Sequence, residues 1–262
     1  MTEYTLKPGL TVALITKNEA ANLEACLQSL DGMADEIVII DSGSTDATAN
    51  IAADFGAKLY AYPDWPGFGP QRNRAHHHIE TEWVLWLDAD ERLTDTLRQS
   101  IRNALANTSA NAQTIFQINR LSEAFGKFIH HCGWYPDKII RLYPTAYTRY
   151  NDNLVHESVI RPAGGQTILL QGDLLHHTYQ NINQYLSKQQ QYTHAWAQQR
   201  VGKKKATPLS AAFHGLGTFI VIYILKRGFL DGQHGLLIAL LNSYYTFLKY
   251  TQLWFLNRNA PK

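Results

Sequence analysis

Apolar residues in the first hundred positions fall into two kinds of block. Unbroken runs at 10–16, 36–40, 58–62 and 83–87 have strand length. Their lack of alternation marks strands buried on both faces. Between them lie segments with helical spacing. Leu23, Cys26, Leu27 and Leu30 make one stripe, residues 47–55 form a second helix closed by Gly56, and Gln71 opens a short third after a Pro/Gly loop at 63–70. Strand and helix alternating in this way predict an α/β fold, a doubly wound, mostly parallel sheet with right-handed crossovers.

The pattern changes after about residue 110. Residues 113–120, 127–131 and 138–143 read as shorter strands, some antiparallel and capping the sheet. From Asn181 the chain turns helical. Residues 184–200 are polar and amphipathic, Thr207-Pro208 opens a helix running to about 226, and a third at 235–256 is rich in Leu, Tyr and Phe. The expected organisation is a sheet domain over residues 1–180 and a helical C-terminal region over 181–262.

Charge sharpens that division. The net charge of +2 conceals a chain end beyond Gln199 with nine Lys or Arg against the single acid Asp231, and a preceding body with a net charge of −6. The asymmetry suggests an acidic catalytic body with a basic tail that meets an anionic surface. With 45% hydrophobic and 18% charged residues the chain is expected to pack rather than stay disordered. Two cysteines make no disulfide framework, and with no secretory signal visible a cytoplasmic setting is expected. No window reaches the roughly 20 apolar residues of a membrane span; the nearest, 216–225, stops at Lys226-Arg227.

Candidate chemistry gathers at strand ends. The run Trp83-Val84-Leu85-Trp86-Leu87 stops abruptly in Asp88-Ala89-Asp90-Glu91. Ligands of open α/β sheets bind beyond the carboxyl ends of the strands. Hard oxygen ligands crowded there suit Mg²⁺ or Mn²⁺ shared with a phosphate, and suit zinc poorly. The loops after the first two strands add Thr16, Asn18 and Glu19, then Asp41, Ser42, Ser44 and Asp46. Neither a P-loop nor a G-x-G-x-x-G fingerprint is present, which weighs against a P-loop NTPase or a dinucleotide dehydrogenase.

Thr16-x-Asn18-Glu19, Asp41-Ser42-Gly43-Ser44-Thr45-Asp46, Gln71-Arg72-Asn73-Arg74-Ala75 and Leu87-Asp88-Ala89-Asp90-Glu91, in that order, closely resemble the family-2 glycosyltransferases. The resemblance implies a GT-A fold and inverting transfer from a nucleotide-sugar. Gly133-Trp134-Tyr135-Pro136-Asp137, Arg141-Leu142-Tyr143, Val155-His156-Glu157 and Lys226-Arg227-Gly228-Phe229-Leu230-Asp231-Gly232 look like one branch of that family. That branch adds glucose or a related sugar to the inner-core heptose of bacterial lipopolysaccharide. Resemblance to it implies that a hexose, glucose from UDP-glucose, is passed to a lipid-linked core oligosaccharide.

By the same resemblance, Asp41 hydrogen-bonds uracil or ribose, with Thr16, Asn18, Glu19, Ser42 and Ser44 lining the pocket. Arg72 approaches the diphosphate or the donor sugar, Asp90 ligates the metal, and Asp88 contacts the ribose or the metal's water shell. Asp46 serves equally well as a helix N-cap. An inverting displacement needs a base for the acceptor's proton, and Glu157 is preferred to Asp137. The family's usual Glu-Asp pair is missing from this chain, which leaves that assignment open. His156 could orient Glu157, and Trp134 could stack on a sugar. His76-His77-His78 and His130-His131-Cys132 are set aside as metal sites because adjacent residues point different ways. One imidazole of His176-His177 could stand near the diphosphate.

The basic and aromatic C-terminal helices read as a peripheral anchor on the inner face of the cytoplasmic membrane. A homodimer interface is the competing use of that surface, and nucleic acid is disfavoured by the acidic crevice. The rival activities are transfer within the same family with another donor or acceptor, metal-dependent nucleotidyl transfer, and non-catalytic binding of a sugar nucleotide.

Overall fold

The computed structural model describes residues 6–153, 157–179 and 181–259. The chain divides into two compact units. One holds the residues up to Arg120 together with Asp137–His176, and the other holds Leu121–Pro136 and the chain from His177 onward. The elements begin with β1 (Lys7–Thr16), α1 (Ala20–Gln28), β2 (Glu36–Asp41), α2 (Thr48–Asp54), β3 (Lys58–Ala61), α3 (Phe68–His76) and β4 (Thr81–Trp86). Then come β5 (Glu91–Leu93), α4 (Asp95–Asn107), β6 (Thr114–Ala124), β7 (Lys127–Phe128), β8 (Asp137–Pro144) and β9 (Gln166–Tyr179). Helices α5 (Ile182–Gln198), α6 (Pro208–Phe219) and α7 (Gln233–Asn259) complete the order, with a π-helical turn at Ile220–Leu225 and a 3₁₀ turn at Gly228–Asp231 between the last two.

The α/β class and the helical C-terminal region are as expected. Strands β3, β2, β1 and β4 lie side by side and parallel, and β4 then meets β8 antiparallel. The full order is β3-β2-β1-β4-β8-β6-β9-β5, with β7 on β6. The unbroken apolar runs have the cause inferred for them. Val12, Leu14, Ile39 and Leu85 join the cluster of Leu23, Cys26 and Leu27 from α1. Their neighbours Ala13, Val38, Ile40, Val84 and Trp86 join Ala75, Ile79 and Tyr143 instead. Alternate residues of one strand thus serve opposite layers, so the runs show no polar–apolar alternation. Trp86 Nε1 donates to Tyr143 Oη at 2.7 Å, so the bulkiest buried ring keeps a partner for its N–H.

Three features differ from the sequence reading. The strand expected at 127–131 is cut to Lys127–Phe128. The long strand β9 was not foreseen, because Gly172 and Asp173 interrupt its apolar pattern. Gly172 is where this strand crosses α4: its φ is +89°, and a Cβ there would stand 2.5 Å from the backbone nitrogen of Leu97. Third, α6 and the π-helical turn join into Pro208–Leu225, a segment with a mean hydropathy of 1.7 of which 17% is buried. By length and composition it could cross a membrane. Counting apolar residues from 216 missed this because Ala211, Ala212, Gly215 and Thr218 extend the segment without reading as hydrophobic.

In the second unit Asp231 is buried. It accepts from the backbone N–H of His131 at 2.8 Å and of His130 at 3.3 Å, while Lys127 Nζ donates to its carbonyl at 2.7 Å. Cys132 packs beside it with Ala124, Ile129 and Ile238. The 130–132 run is therefore organised around this acid. Gly172→Ala should lower the unfolding free energy by about 1–3 kcal/mol, since it adds left-handed strain and a backbone clash. Urea unfolding of the two proteins checks it.

Candidate active site

Parallel pairing of β1 with β2 sets Thr16 opposite Asp41, at the ends from which the first two loops leave the sheet. Asp41 is buried, and its carboxylate is fully occupied. Thr16 Oγ1 and Ser44 Oγ donate to Oδ1 at 3.1 and 2.5 Å, and the N–H groups of Gly43 and Ser44 donate to Oδ2 at 3.0 and 2.8 Å. Asn18, in the left-handed region at φ +56°, ties the two loops together. Its N–H donates to Ser44 Oγ and its Oδ1 accepts from the N–H of Thr45, both at 2.8 Å. Ser42 Oγ accepts from Gln71 Nε2 at 2.9 Å, which links α3 to the same loop. Asp46 accepts from the N–H of Thr48 and of Ala20, a local capping arrangement at the starts of α2 and α1.

The third loop follows β4 and carries the densest charge. Asp88 lies between two guanidiniums: Arg72 Nη2 is 2.6 Å from Oδ1, and Arg141 Nη2 is 2.6 Å from Oδ2. Arg141 also reaches Glu91 Oε1 at 2.8 Å, and the N–H of Asp88 donates to Glu91 Oε2 at 2.9 Å. Arg120 stands 3.7 Å from Glu91 and donates to Asp137 Oδ2 through Nε at 2.9 Å and Nη2 at 2.7 Å. At the other end Arg72 Nε lies 3.3 Å from Glu157 Oε1. Both acids weighed as the base therefore terminate one continuous chain of ion pairs. Asp90 stands apart from it, with Oδ2 3.3 Å from His176 Nε2.

A family model described as glycosyl transferase family 2 matches residues 11–169. The chain belongs to that family. This glycosyltransferase is 29% identical over 271 residues to the lipopolysaccharide core biosynthesis glycosyltransferase LpsC of Rhizobium meliloti, a match covering 98% of this chain and 95% of LpsC. It is 27% identical over 252 residues to an uncharacterized glycosyltransferase of Rickettsia typhi, covering 93% of this chain and 86% of that protein. Among solved structures it is similar to Staphylococcus aureus TarS 1–349 in complex with UDP-GlcNAc, at 14% identity and a TM-score of 0.48, over 96% of this chain and 91% of the other. A Mycobacterium tuberculosis glucosyl-3-phosphoglycerate synthase structure with Mn²⁺ and UDP matches 44% of each chain at 24% identity, with a TM-score of 0.35.

Electrostatics of the glycosyltransferase site are set by the ion-pair chain. Burial acts to raise the Asp88 carboxyl, but Arg141 and Arg72 more than offset it and hold it well below the usual carboxylate range. Burial likewise works against the charge on Arg72 and Arg141, yet Asp88 keeps both above the ordinary guanidinium value. Glu91 is fully buried. Burial pushes its carboxyl up, Arg141 works against that, and the charge on Asp88 adds to it. Glu19 is raised in the same way, first by burial and then by Asp90 and Asp88, against the hydrogen bond from Asn22. Buried Arg72 Nη1 and Arg141 Nε have no hydrogen-bond partner among the described residues.

Sequence reasoning gave roles to Arg72, Asp88, Asp90, Asp137 and Glu157 but none to Arg141, Arg120 or Glu91. Arg141 entered only within a motif of the resemblance, and its other signal was a basic residue inside an otherwise apolar strand pattern. His176 was weighed and stands beside Asp90; His177 pairs instead with Glu123. Trp134 packs against Tyr179 at 6.2 Å between ring centroids. His156 lies outside the described residues. No group of three or more His, Cys, Asp or Glu that could hold a metal occurs among the described residues.

The pH dependence of stability has a definite sign. Asp88 has a depressed value, so its contribution is present above about pH 4 and is lost as the pH falls toward the folded-state value. Arg141→Met strips the shared guanidinium from Asp88 and Glu91 and should cost roughly 3–5 kcal/mol at pH 8, the usual penalty for leaving one side of a buried pair. Arg72 still holds Asp88, but Glu91 loses its close guanidinium while burial and the charge on Asp88 keep raising its carboxyl, so protonation of Glu91 relieves the loss and the deficit should shrink at pH 5. Urea midpoints of both proteins at the two pH values check this, and an equal deficit at both would contradict it.

Proposed function

We propose that this glycosyltransferase passes a hexose, glucose from UDP-glucose, to a heptose of a lipid-linked core oligosaccharide, with inversion at the anomeric carbon. It does so at the inner face of the cytoplasmic membrane. The observation that carries the reading is the strand-end array in which Arg72 holds Asp88 and Glu157 together. Family membership favours sugar transfer over nucleotidyl transfer. The choice of acceptor is supported by the name of LpsC, the relative matched over nearly its whole length.

Uracil and ribose are read by the loops after β1 and β2, with Thr16, Asn18, Glu19, Asp41, Ser42 and Ser44. Asp41 orders both loops from within, because its four lone-pair positions are already used by them. Arg72 approaches the diphosphate from a guanidinium fixed by Asp88 and Glu157. Asp88, gripped by two guanidiniums, supports this placement. Asp90 would hold Mg²⁺ or Mn²⁺ through a carboxylate oxygen, with His176 Nε2 beside it at 3.3 Å. When bound, such an ion supplies positive charge against the departing diphosphate. Glu157 takes the acceptor hydroxyl's proton as that oxygen attacks the anomeric carbon and UDP leaves. Its support over Asp137 is that Glu157 accepts a single long contact from Arg72, at 3.3 Å, whereas Asp137 Oδ2 accepts from two nitrogens of Arg120 at 2.9 and 2.7 Å.

UDP release, measured across a panel of sugar nucleotides with and without Mn²⁺, tests the donor; release of pyrophosphate instead would sink the reading. Glu157→Gln should retain UDP binding while transfer falls by at least about a hundredfold, and Asp137→Asn should retain most transfer. The reverse outcome would assign the base to Asp137. Asp90→Ala should cut turnover by at least about a hundredfold, equivalent to about 2.7 kcal/mol, and EDTA should abolish it. Full activity in EDTA would argue against the ion.

A further inference from the structure

Three cations of the second unit converge on one aromatic ring. The guanidinium of Arg200 lies 4.5 Å from the ring centroid of Trp196, Lys249 Nζ 5.3 Å and Lys204 Nζ 5.8 Å. Lys249 Nζ also sits 4.4 Å from Tyr245, and Lys204 Nζ donates to Tyr250 Oη at 2.7 Å. Among the described residues no carboxylate pairs with any of the three. The two acids of this unit are engaged elsewhere, Glu123 by His177 and Asp231 by the 130–132 backbone. Like charges crowd in consequence: burial first, then Arg200 and Lys204, lower the pKa of Lys249.

Aromatic faces attract these cations but carry no net charge to neutralise them. The cluster is electrostatically incomplete until an anion joins it. We propose that Arg200, Lys204 and Lys249 form a binding site for the phosphate of an anionic phospholipid headgroup. The neighbouring helix explains why the ligand is a lipid. His214 of α6 stacks on Tyr250 with ring centroids 3.9 Å apart. Within two turns the same helix exposes Leu209 (68%), Phe213 (65%) and Leu216 (56%). Cations at the phosphate level beside an unburied apolar helix match the two layers of a membrane interface. This inference rests on the membrane-peripheral part of the proposed function and gives that contact a defined site.

Flotation with vesicles of phosphatidylcholine, with and without phosphatidylglycerol, tests it on the full chain. R200Q/K249Q should weaken partition onto phosphatidylglycerol vesicles by roughly thirtyfold, taking about 1 kcal/mol per basic residue near the surface. K203Q/K205Q removes equal charge outside the aromatic cluster and should weaken it far less. K204Q, with an expected loss of roughly fivefold on the same scale, keeps the test sound if the first double variant melts early. Equal losses from the two double variants would overturn the site in favour of diffuse attraction. Binding of inorganic phosphate with no preference between the two vesicles would overturn the headgroup in favour of free phosphate. UDP release without vesicles should be unchanged in R200Q/K249Q, so failure of the transferase reading and failure of this site are separately visible.

Discussion

A carboxylate clamped from both sides is the constraint on which the rest depends. Asp88 meets Arg72 of α3 on one oxygen and Arg141 of β8 on the other, and the contacts run on through Glu91 and Arg120 to Asp137. These residues come from separate elements, and Arg72, Arg141 and Glu91 among them would be costly buried charges without their neighbours. The network is satisfied only when α3, β4, β5, β6 and β8 are all in place. Formation of the sheet and assembly of the site are thus one event, and few of these side chains can shift alone.

The distribution of charge divides two tasks. In the first unit acids outnumber basic residues, and those at the strand ends are paired at short range with arginines. In the second, basic residues outnumber acids and the acids are used internally, so positive potential projects outward.

Much of the parallel half was legible because a strand buried on both faces leaves a plain mark, an unbroken apolar run closed by polar residues. Runs at 10–16, 36–40 and 83–87 became β1, β2 and β4, and Thr16 and Asp41 met as partners because neighbouring parallel strands share a register. The antiparallel half was harder to read. β9 carries a glycine that accommodates α4, which breaks its pattern, and β7 is held partly through contacts with residues far along the chain. Arg141 and Arg120 were given no role for a related reason. A basic residue in a strand such as Arg141 becomes meaningful only once the acids facing it across the fold are known. Glu157 and Asp137 were both proposed from their positions past the aspartate motif; what sequence could not supply was the chain of contacts joining them.

The buried sulfurs of the interior have a practical use. Cys26 is packed under the third loop, its Sγ 3.6 Å from the carbonyl of Asp88, and burial drives its thiol far above the ordinary range. Burial and then the neighbouring Asp231 push Cys132 up to about 11. Maleimides attack thiolates, so at neutral pH the folded protein is nearly silent toward them. A cysteine introduced on the exposed face of α6 would carry a fluorophore almost alone, letting lipid contact be followed by colour without first removing either native sulfur.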